Sequence, residues 1–274
     1  MPLVSVLMTA YNREQFIAEA IESVLASTYQ DFELIIVDDC SKDRTVEIAR
    51  KYEAQDSRIK VYVNEQNLGD YPNRNKAASY AIGKYLKYLD SDDIMNSNCL
   101  ERMVFEMENY PACAFGISSR SLLEMQVHYP DNAYRTHFFK RGILDISPSG
   151  CVIRKDVFDQ ENGFLELRCV SDFEFWLRLA LKYPLLELEK GLIFWREHNQ
   201  QEIHLGKKAY LEHTLSILSE NVQLSQLTET EKFSILQKYK KNTMRQLIKN
   251  ILKLGFFDFI KLKKTNRLKF SDAF

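Results

Sequence analysis

The stretch Tyr85-Leu86-Lys87-Tyr88-Leu89-Asp90-Ser91-Asp92-Asp93 constrains this chain most, because a short run of strand character, Tyr85 to Leu89, stops abruptly in three carboxylates within four positions. Like charges this close repel one another, so the cluster needs either full solvation or a compensating cation. A hard divalent ion, Mg²⁺ or Mn²⁺, is the natural candidate. Such ions take oxygen ligands and commonly bridge one or two carboxylates to substrate phosphates. Taken alone, the segment reads more readily as a solvated turn in which Asp92 or Asp93 caps the next helix. Its company in the sequence reverses that reading.

Phe32-Glu33-Leu34-Ile35-Ile36-Val37 reads as a buried strand and ends in Asp38-Asp39, followed by Cys40-Ser41 and a helix-like stretch from about Arg44 to Tyr52. The first strand, Leu3 to Met8, runs into Thr9-Ala10-Tyr11-Asn12. Open α/β sheets bind ligands beyond the carboxyl ends of their strands, so these ends predict one crevice lined by acids, a hydroxyl and an aromatic ring. Singly each is weak, since Tyr11 also fits a core position and Thr9 a helix cap. Glu14 to Ala26 carries Phe16, Ile17, Ala20, Ile21, Val24 and Leu25 at helical spacing; Ile59 to Val63 reads as a third strand; Pro72 to Ile82 reads as a helix with proline in its first turn. This βαβ rhythm, sustained to about Ser118, predicts an α/β fold with a mostly parallel central sheet. From Phe115 to Ile153 the pattern is irregular, with His128, Tyr129, Tyr134, His137 and Phe138-Phe139. It suits a ligand-facing region or surface loops with aromatic anchors. With no GxGxxG and no P-loop, phosphate binding falls to metal and side chains.

Composition narrows the class. A chain of 274 residues, 45% hydrophobic, buries a full core, and its formal net charge of −1 argues against a nucleic-acid partner. No apolar run approaches bilayer length, and the N-terminal run is short, strand-like and without a basic leader. Five scattered cysteines, Cys40, Cys99, Cys113, Cys151 and Cys169, with no CxxC pair, are expected as reduced thiols of a cytoplasmic protein.

Val4-Ser5-Val6-Leu7-Met8-Thr9-Ala10-Tyr11-Asn12, Ile35 to Ser41, Asn67-Leu68-Gly69 with Arg74-Asn75, and Leu89 to Asp93 resemble, in order and spacing, the successive motifs of the inverting family-two nucleotide-sugar glycosyltransferases. The likeness continues more loosely through Ser171 to Trp176 and Trp195-Arg196-Glu197-His198. It implies a GT-A fold, a Rossmann-like sheet flanked by helices, over residues 1–205, with a nucleotide-binding half to about 118 and an acceptor half from about 119, and a helical basic extension over 206–274. It also implies transfer from a nucleoside-diphosphate sugar, a UDP-sugar foremost, to a hydroxyl of a saccharide or lipid-linked saccharide in bacterial surface polysaccharide or glycolipid assembly. The QxxRW motif and membrane helices of the polymer-building relatives are missing, so single-sugar transfer is expected.

Carried over residue by residue, the resemblance makes Asp92 the metal ligand, with Asp93 in reserve and His198 completing the site, while Asp90 meets the ribose or stands beside the metal. Imidazole suits Mn²⁺ better than Mg²⁺, and a lone histidine is more often structural. Asp39 accepts from the pyrimidine base, Tyr11 packs on the base, Thr9 lies nearby, and Arg74 complements the nucleotide. Asp172, near a helix N-terminus that stabilises its charge, is the general base; an ordinary helix cap would explain it equally well. Relatives commonly carry Glu-Asp here, where this chain has Ser171-Asp172. Glu174 is the reserve base, though its spacing suits an ion pair with Arg178.

Beyond Leu205, Leu211, Leu215, Leu218 and Val222 recur at helical spacing, and Phe233 to Phe270 is basic and amphipathic. That pattern fits an anionic membrane surface at the inner face of the plasma membrane, and equally helices that pack on the enzyme or form a homodimer. Two other functional classes remain open on the sequence: a non-catalytic nucleotide-sugar-binding or assembly protein on the same fold, which the joint presence of Asp92 and Asp172 opposes, and a glycoside hydrolase, which needs neither a nucleotide pocket nor clustered metal carboxylates.

Overall fold

A computed structural model describes residues 1–198 and 207–245. The elements in chain order are β1 (Val4–Ala10), α1 (Ile17–Leu25), β2 (Phe32–Asp38), α2 (Thr45–Glu53), β3 (Ile59–Val63), α3 (Asp70–Tyr80), β4 (Tyr85–Tyr88), β5 (Ile94–Met95), α4 (Cys99–Asn109), β6 (Phe115–Ser118), β7 (Gln126–His128), α5 (Pro130–Arg135), β8 (Cys151–Arg154), α6 (Lys155–Gln160), α7 (Ser171–Lys182), β9 (Leu185–Leu188), β10 (Ile193–Phe194) and α8 (Lys207–Leu224). Eight strands form one sheet in the order β3-β2-β1-β4-β8-β6-β9-β7, and β5 pairs with β10 in a small ribbon. The junctions β3·β2, β2·β1 and β1·β4 are parallel, as is β6·β9; β8 runs antiparallel to both β4 and β6, and β7 to β9. The α/β architecture with a mostly parallel sheet is the expected one.

The strands are apolar because both faces of the sheet are covered. In β1, Val6, Leu7 and Met8 have no solvent exposure, and in β2 the same is true of Leu34, Ile36 and Val37. Each such side chain contributes on the order of 1.5–3 kcal/mol by leaving water, so the register that carries the strand ends to one edge is strongly fixed. On the other half, Phe164 packs on Tyr88, Phe175 and Trp176 at centroid separations of 5.5, 5.0 and 5.9 Å, which fastens α7 to the middle of the sheet.

Helix bounds differ from expectation at two places for local reasons. Gly69 adopts φ +91°, a region that favours glycine, so the chain turns there and α3 starts at Asp70, two residues before Pro72. Residues 14–16 form turns before α1, so that helix opens at Ile17 instead of Glu14. The irregular segment 115–153 supplies β6, β7 and all but the last residue of β8 to the main sheet, besides α5 and a π turn at Thr136–Lys140. Of its rings, His128, Tyr134, His137 and Phe138 are buried, and Tyr129 and Phe139 are exposed.

Contacts group Met1–Leu227 into one compact unit, which includes α8, and Thr228–Phe274 into a second. Within the second, a helix runs from residue 229 to the last described position, 245. It opens on a reciprocal cap: Glu231 accepts from the Thr228 N–H at 2.8 Å, and the Glu231 N–H donates to Thr228 Oγ1 at 3.3 Å. The rest of the basic amphipathic segment, beyond 245, lies outside the described residues, as do 199–206. Among the described residues no helix is long and apolar enough to cross a membrane.

Candidate active site

The strand ends of the parallel half meet as the sequence suggested, and backbone strain shows where. Asn12 and Cys40, one after each of β1 and β2, adopt positive φ of 52° and 68°. The two turns then lace together: the Asn12 N–H donates to Ser41 Oγ at 2.8 Å, and the Lys42 N–H donates to Asn12 Oδ1 at 2.8 Å. Asp38 serves this lacing, accepting from the Ser41 N–H and hydroxyl at 2.8 and 2.5 Å. Asp39 faces the other way. Its carboxylate accepts from Asn64 Nδ2 and the Leu68 N–H, both at 2.8 Å, and from the Gly69 N–H at 2.9 Å. A carboxylate has about four acceptor positions, so one remains for a ligand. Tyr11 is 45% exposed at the mouth, and the Thr9 carbonyl is held by Ser91 Oγ at 2.8 Å.

Oxygen atoms of Asp90, Asp92 and Asp93 lie within 4.8 Å of one another. Asp92 Oδ2 receives Arg13 Nε at 3.0 Å and stands 2.9 Å from His198 Nε2, so the histidine singled out 106 positions away does reach the cluster. The imidazole stacks on Phe16 at 4.7 Å between centroids, and the Arg196 N–H donates to Asp93 Oδ1 at 3.2 Å, which straps residues 195–198 over the acids. Burial and the charges of Asp90 and Asp92 push the Asp93 carboxyl above the ordinary range. Burial acts the same way on Asp90, but Arg74 and Ser149 outweigh it and hold that carboxyl low. Such a set of closely spaced hard oxygens is the kind of donor set that Mg²⁺ or Mn²⁺ fits.

Helix α3 connects this cluster to Asp172. Arg74, 6% exposed, places Nη1 2.6 Å from Asp90 Oδ1 and Nε 2.9 Å from Asp70 Oδ1, so its charge is shared between two acids. One turn earlier, Tyr71 hydrogen-bonds the Asp172 carboxylate. The Phe173 N–H adds a donor at 2.8 Å, yet burial dominates and raises Asp172 to about 6. Ser171 is fully buried and braces the turn before α7. Its hydroxyl accepts from the Leu167 N–H at 3.0 Å and donates to the Leu167 carbonyl at 2.7 Å. Glu174 pairs with Arg178 through both oxygens, at 2.8 and 3.1 Å.

Sequence reading missed Arg13, Phe16, Tyr71, Arg196 and Ser149. Ser149, fully buried, accepts from the Asp90 N–H at 2.8 Å, and its hydroxyl lies against the Asp90 and Asp93 carboxyls. Its carbonyl accepts from the ammonium of Lys87, as does that of Tyr88. Lys87 has no solvent exposure, and burial lowers its pKa. For Tyr71 a signal existed, three positions before Arg74 on a helix. For Ser149 there was none.

The fold is that of a GT-A glycosyltransferase. The model of glycosyl transferase family 2 matches residues 5–161, and the chain belongs to that family. It is 35% identical over 192 residues, 66% of this chain and 73% of the other, to TuaG of Bacillus subtilis (strain 168), a glycosyltransferase named for teichuronic acid biosynthesis. It is 44% identical over 105 residues, 38% of this chain and 41% of the other, to WfgD of Escherichia coli, a UDP-Glc:α-D-GlcNAc-diphosphoundecaprenol β-1,3-glucosyltransferase. Among solved structures, S. aureus TarS 1-349 in complex with UDP-GlcNAc superposes with a TM-score of 0.69 at 22% identity, covering 86% of this chain and 71% of that one.

Proposed function

We propose that this glycosyltransferase is inverting and metal-dependent, and moves one sugar from a UDP-sugar to a hydroxyl of a saccharide or lipid-linked saccharide in bacterial surface polysaccharide or glycolipid assembly. The observation that carries the reading is the pairing, across α3, of the Asp90-Asp92-Asp93 cluster with a buried, weakly acidic Asp172. An inverting displacement needs those two groups: charge compensation on the leaving diphosphate and a base on the attacking hydroxyl. The names of TuaG and WfgD support the donor and acceptor classes.

Asp92 and Asp93 would hold Mg²⁺ or Mn²⁺ with His198 beside them, and the bound ion supplies positive charge to the departing diphosphate. Asp172 takes the acceptor proton, and Tyr71 orients its carboxylate. Asp39 offers its remaining lone pair to the imide N–H of uracil, against Tyr11, with Thr9 beneath. Arg74 acts through Asp90, setting that carboxylate toward the ribose. The basic segment from 233 onward is proposed to bring the enzyme, as a cytoplasmic protein, to anionic membrane; co-sedimentation with anionic liposomes that fades at high salt is the expected result, and equal, negligible binding to anionic and neutral liposomes would end that part.

Donor hydrolysis tests the core of the reading. UDP-, GDP- and dTDP-sugars are assayed with Mn²⁺, Mg²⁺ or EDTA, and the first-formed anomer is read by proton NMR. Metal-dependent turnover of a UDP-sugar with inverted configuration is expected. Indifference to EDTA, preference for GDP, or retained configuration would overturn it.

A further inference from the structure

A small cleft with a mixed polar and apolar lining opens at the same edge of the sheet. Its lining includes Ser119, Arg120, Ser121, Arg141, Asp145 and Glu187. Because β8 is antiparallel to β4 and to β6, those two strands run the same way, and residues 118–121 leave β6 on the edge where Asp90 to Asp93 leave β4. Two strand spacings, roughly 10 Å, separate those strands.

The floor of the cleft is rigid. Glu187 is buried and accepts from Ser119 Oγ at 2.8 Å and Arg141 Nη2 at 2.6 Å, with His128 Nε2 2.9 Å away; these partners hold it near 2 against the effect of burial. The rim differs. Arg120 is exposed, with its Cζ 5.9 Å from the Trp195 ring centroid, and among the described residues neither its guanidinium nor the exposed Asp145 carboxylate has a hydrogen bond or ion pair. A Cβ at Gly142 would stand 2.5 Å from Asp145 Oδ2, so the glycine lets that carboxylate lie over the backbone. Trp195 is fixed by its Nε1–H donating to Ser147 Oγ at 3.0 Å, and it precedes His198 by one short strap. Among the described residues the cleft thus offers an unpaired donor fork and an unpaired acceptor.

We propose that this cleft is a saccharide subsite that binds a part of the acceptor beyond the ring being attacked, with Arg120 donating to sugar hydroxyls and Asp145 accepting from them. The inference rests on the glycosyl-transfer reading. Opposite charges on the rim favour a neutral ligand rich in both donors and acceptors; a phosphate would meet Asp145. The spacing from Asp90 makes the subsite remote from the reacting centre, and binding energy gained there orients the attacked hydroxyl.

The full-length protein, with UDP and Mn²⁺ present, is titrated with the methyl glycosides of glucose, galactose, mannose and N-acetylglucosamine, followed by saturation-transfer NMR and tryptophan fluorescence. Binding of at least one glycoside is expected, weakened by about fivefold or more in Arg120→Ala and in Asp145→Ala, the scale of one hydrogen bond. UDP affinity and metal-dependent donor hydrolysis are expected to stay at parental levels in both variants, and thermal melts check that both fold. The proposal is overturned if no glycoside binds, if both variants bind as the parent does, or if inorganic phosphate competes through Arg120, which would mark an anion site. Absence of donor hydrolysis in the parent would instead defeat the glycosyl-transfer reading, with glycoside binding still measured separately.

Discussion

The two halves of the sheet arrive at one edge by different means. In β3-β2-β1-β4 every junction is parallel, and the polar groups lie at or just beyond the carboxyl ends of β1, β2 and β4: Thr9, Asp38, Asp39, Asp90, Asp92 and Asp93. In β8-β6-β9-β7 strand directions mix, and the polar groups are assembled across long separations, 59 residues for His128 with Glu187 and 68 for Ser119 with Glu187. The first half takes its chemistry from short motifs, the second from tertiary packing. Substitutions in the first should strike rate and donor binding; those in the second should strike acceptor use and stability.

The largest effect is expected at Asp92. Asp92→Ala removes the oxygen that meets both Arg13 and His198, so transfer should fall by roughly 10²–10³-fold or more, the scale of losing a main electrostatic stabiliser, with the fold intact. Near-parental, metal-dependent turnover would break the comparison at its strongest point.

Next comes Asp172→Asn, expected to lower transfer by about a hundredfold while donor affinity survives. Parental activity should rise with pH through about 6, where Asp172 ionises. Stability carries the opposite sign. Because the folded carboxyl holds its proton to higher pH than the unfolded one, ionisation destabilises the fold above about 6 and has no effect below the unfolded carboxylate range. The Asn variant should therefore melt higher than the parent at alkaline pH, and the gap should close on acidification. A gap that widened on acidification would show that Asp172 is not the buried acid described.

Asp39→Ala follows, with UDP binding weaker by about tenfold to a hundredfold, from a lost charge-assisted hydrogen bond of about 1.5–3 kcal/mol. Three protein donors also lose their acceptor, so limited proteolysis near Gly69 should accelerate. Calorimetry showing GDP bound more tightly than UDP by the parent would remove the base-recognition role.

The smallest effect on the donor site is expected from Glu187→Gln, which leaves Arg141 without its buried carboxylate. Stability should drop on the order of 3 kcal/mol at neutral pH, the scale of a broken buried ion pair, while UDP affinity stays put. Since Glu187 is held near 2, its contribution in the parent is present above the unfolded carboxylate range and lost as pH falls toward 2, so the two melting curves should converge in acid. A change in UDP affinity would mean that the halves are not separable.

What was legible follows the same division. Apolar runs ending in polar residues announced β1, β2 and β4 and their shared edge, acids after β2 and β4 and Thr9 with Asn12 at β1, since strand direction and polar termination are local properties. His198 and Asp172 were found only through resemblance, because nothing near them in the chain names their partners. Ser149 was passed over for that reason, as one ordinary serine, whereas Tyr71 was passed over although its helical spacing from Arg74 was there to read. Irregular patterning hid β6 and β7: four- and three-residue strands are too short to show a period, and their hydrophobic partners lie in β8 and β9. Glu174 is the opposite case, where helical spacing alone foretold the pair with Arg178.

Lys87 sits on β4 at the seam between the halves, its amine sealed between the carbonyls of Tyr88 and Ser149. Amine-acylating reagents reach it only when β4 and β8 part, whereas a surface lysine such as Lys51 reacts from the closed state. The ratio of the two labelling rates, read by mass spectrometry over time, is therefore a clock for how often the sheet unzips along that seam, and it requires no engineered probe.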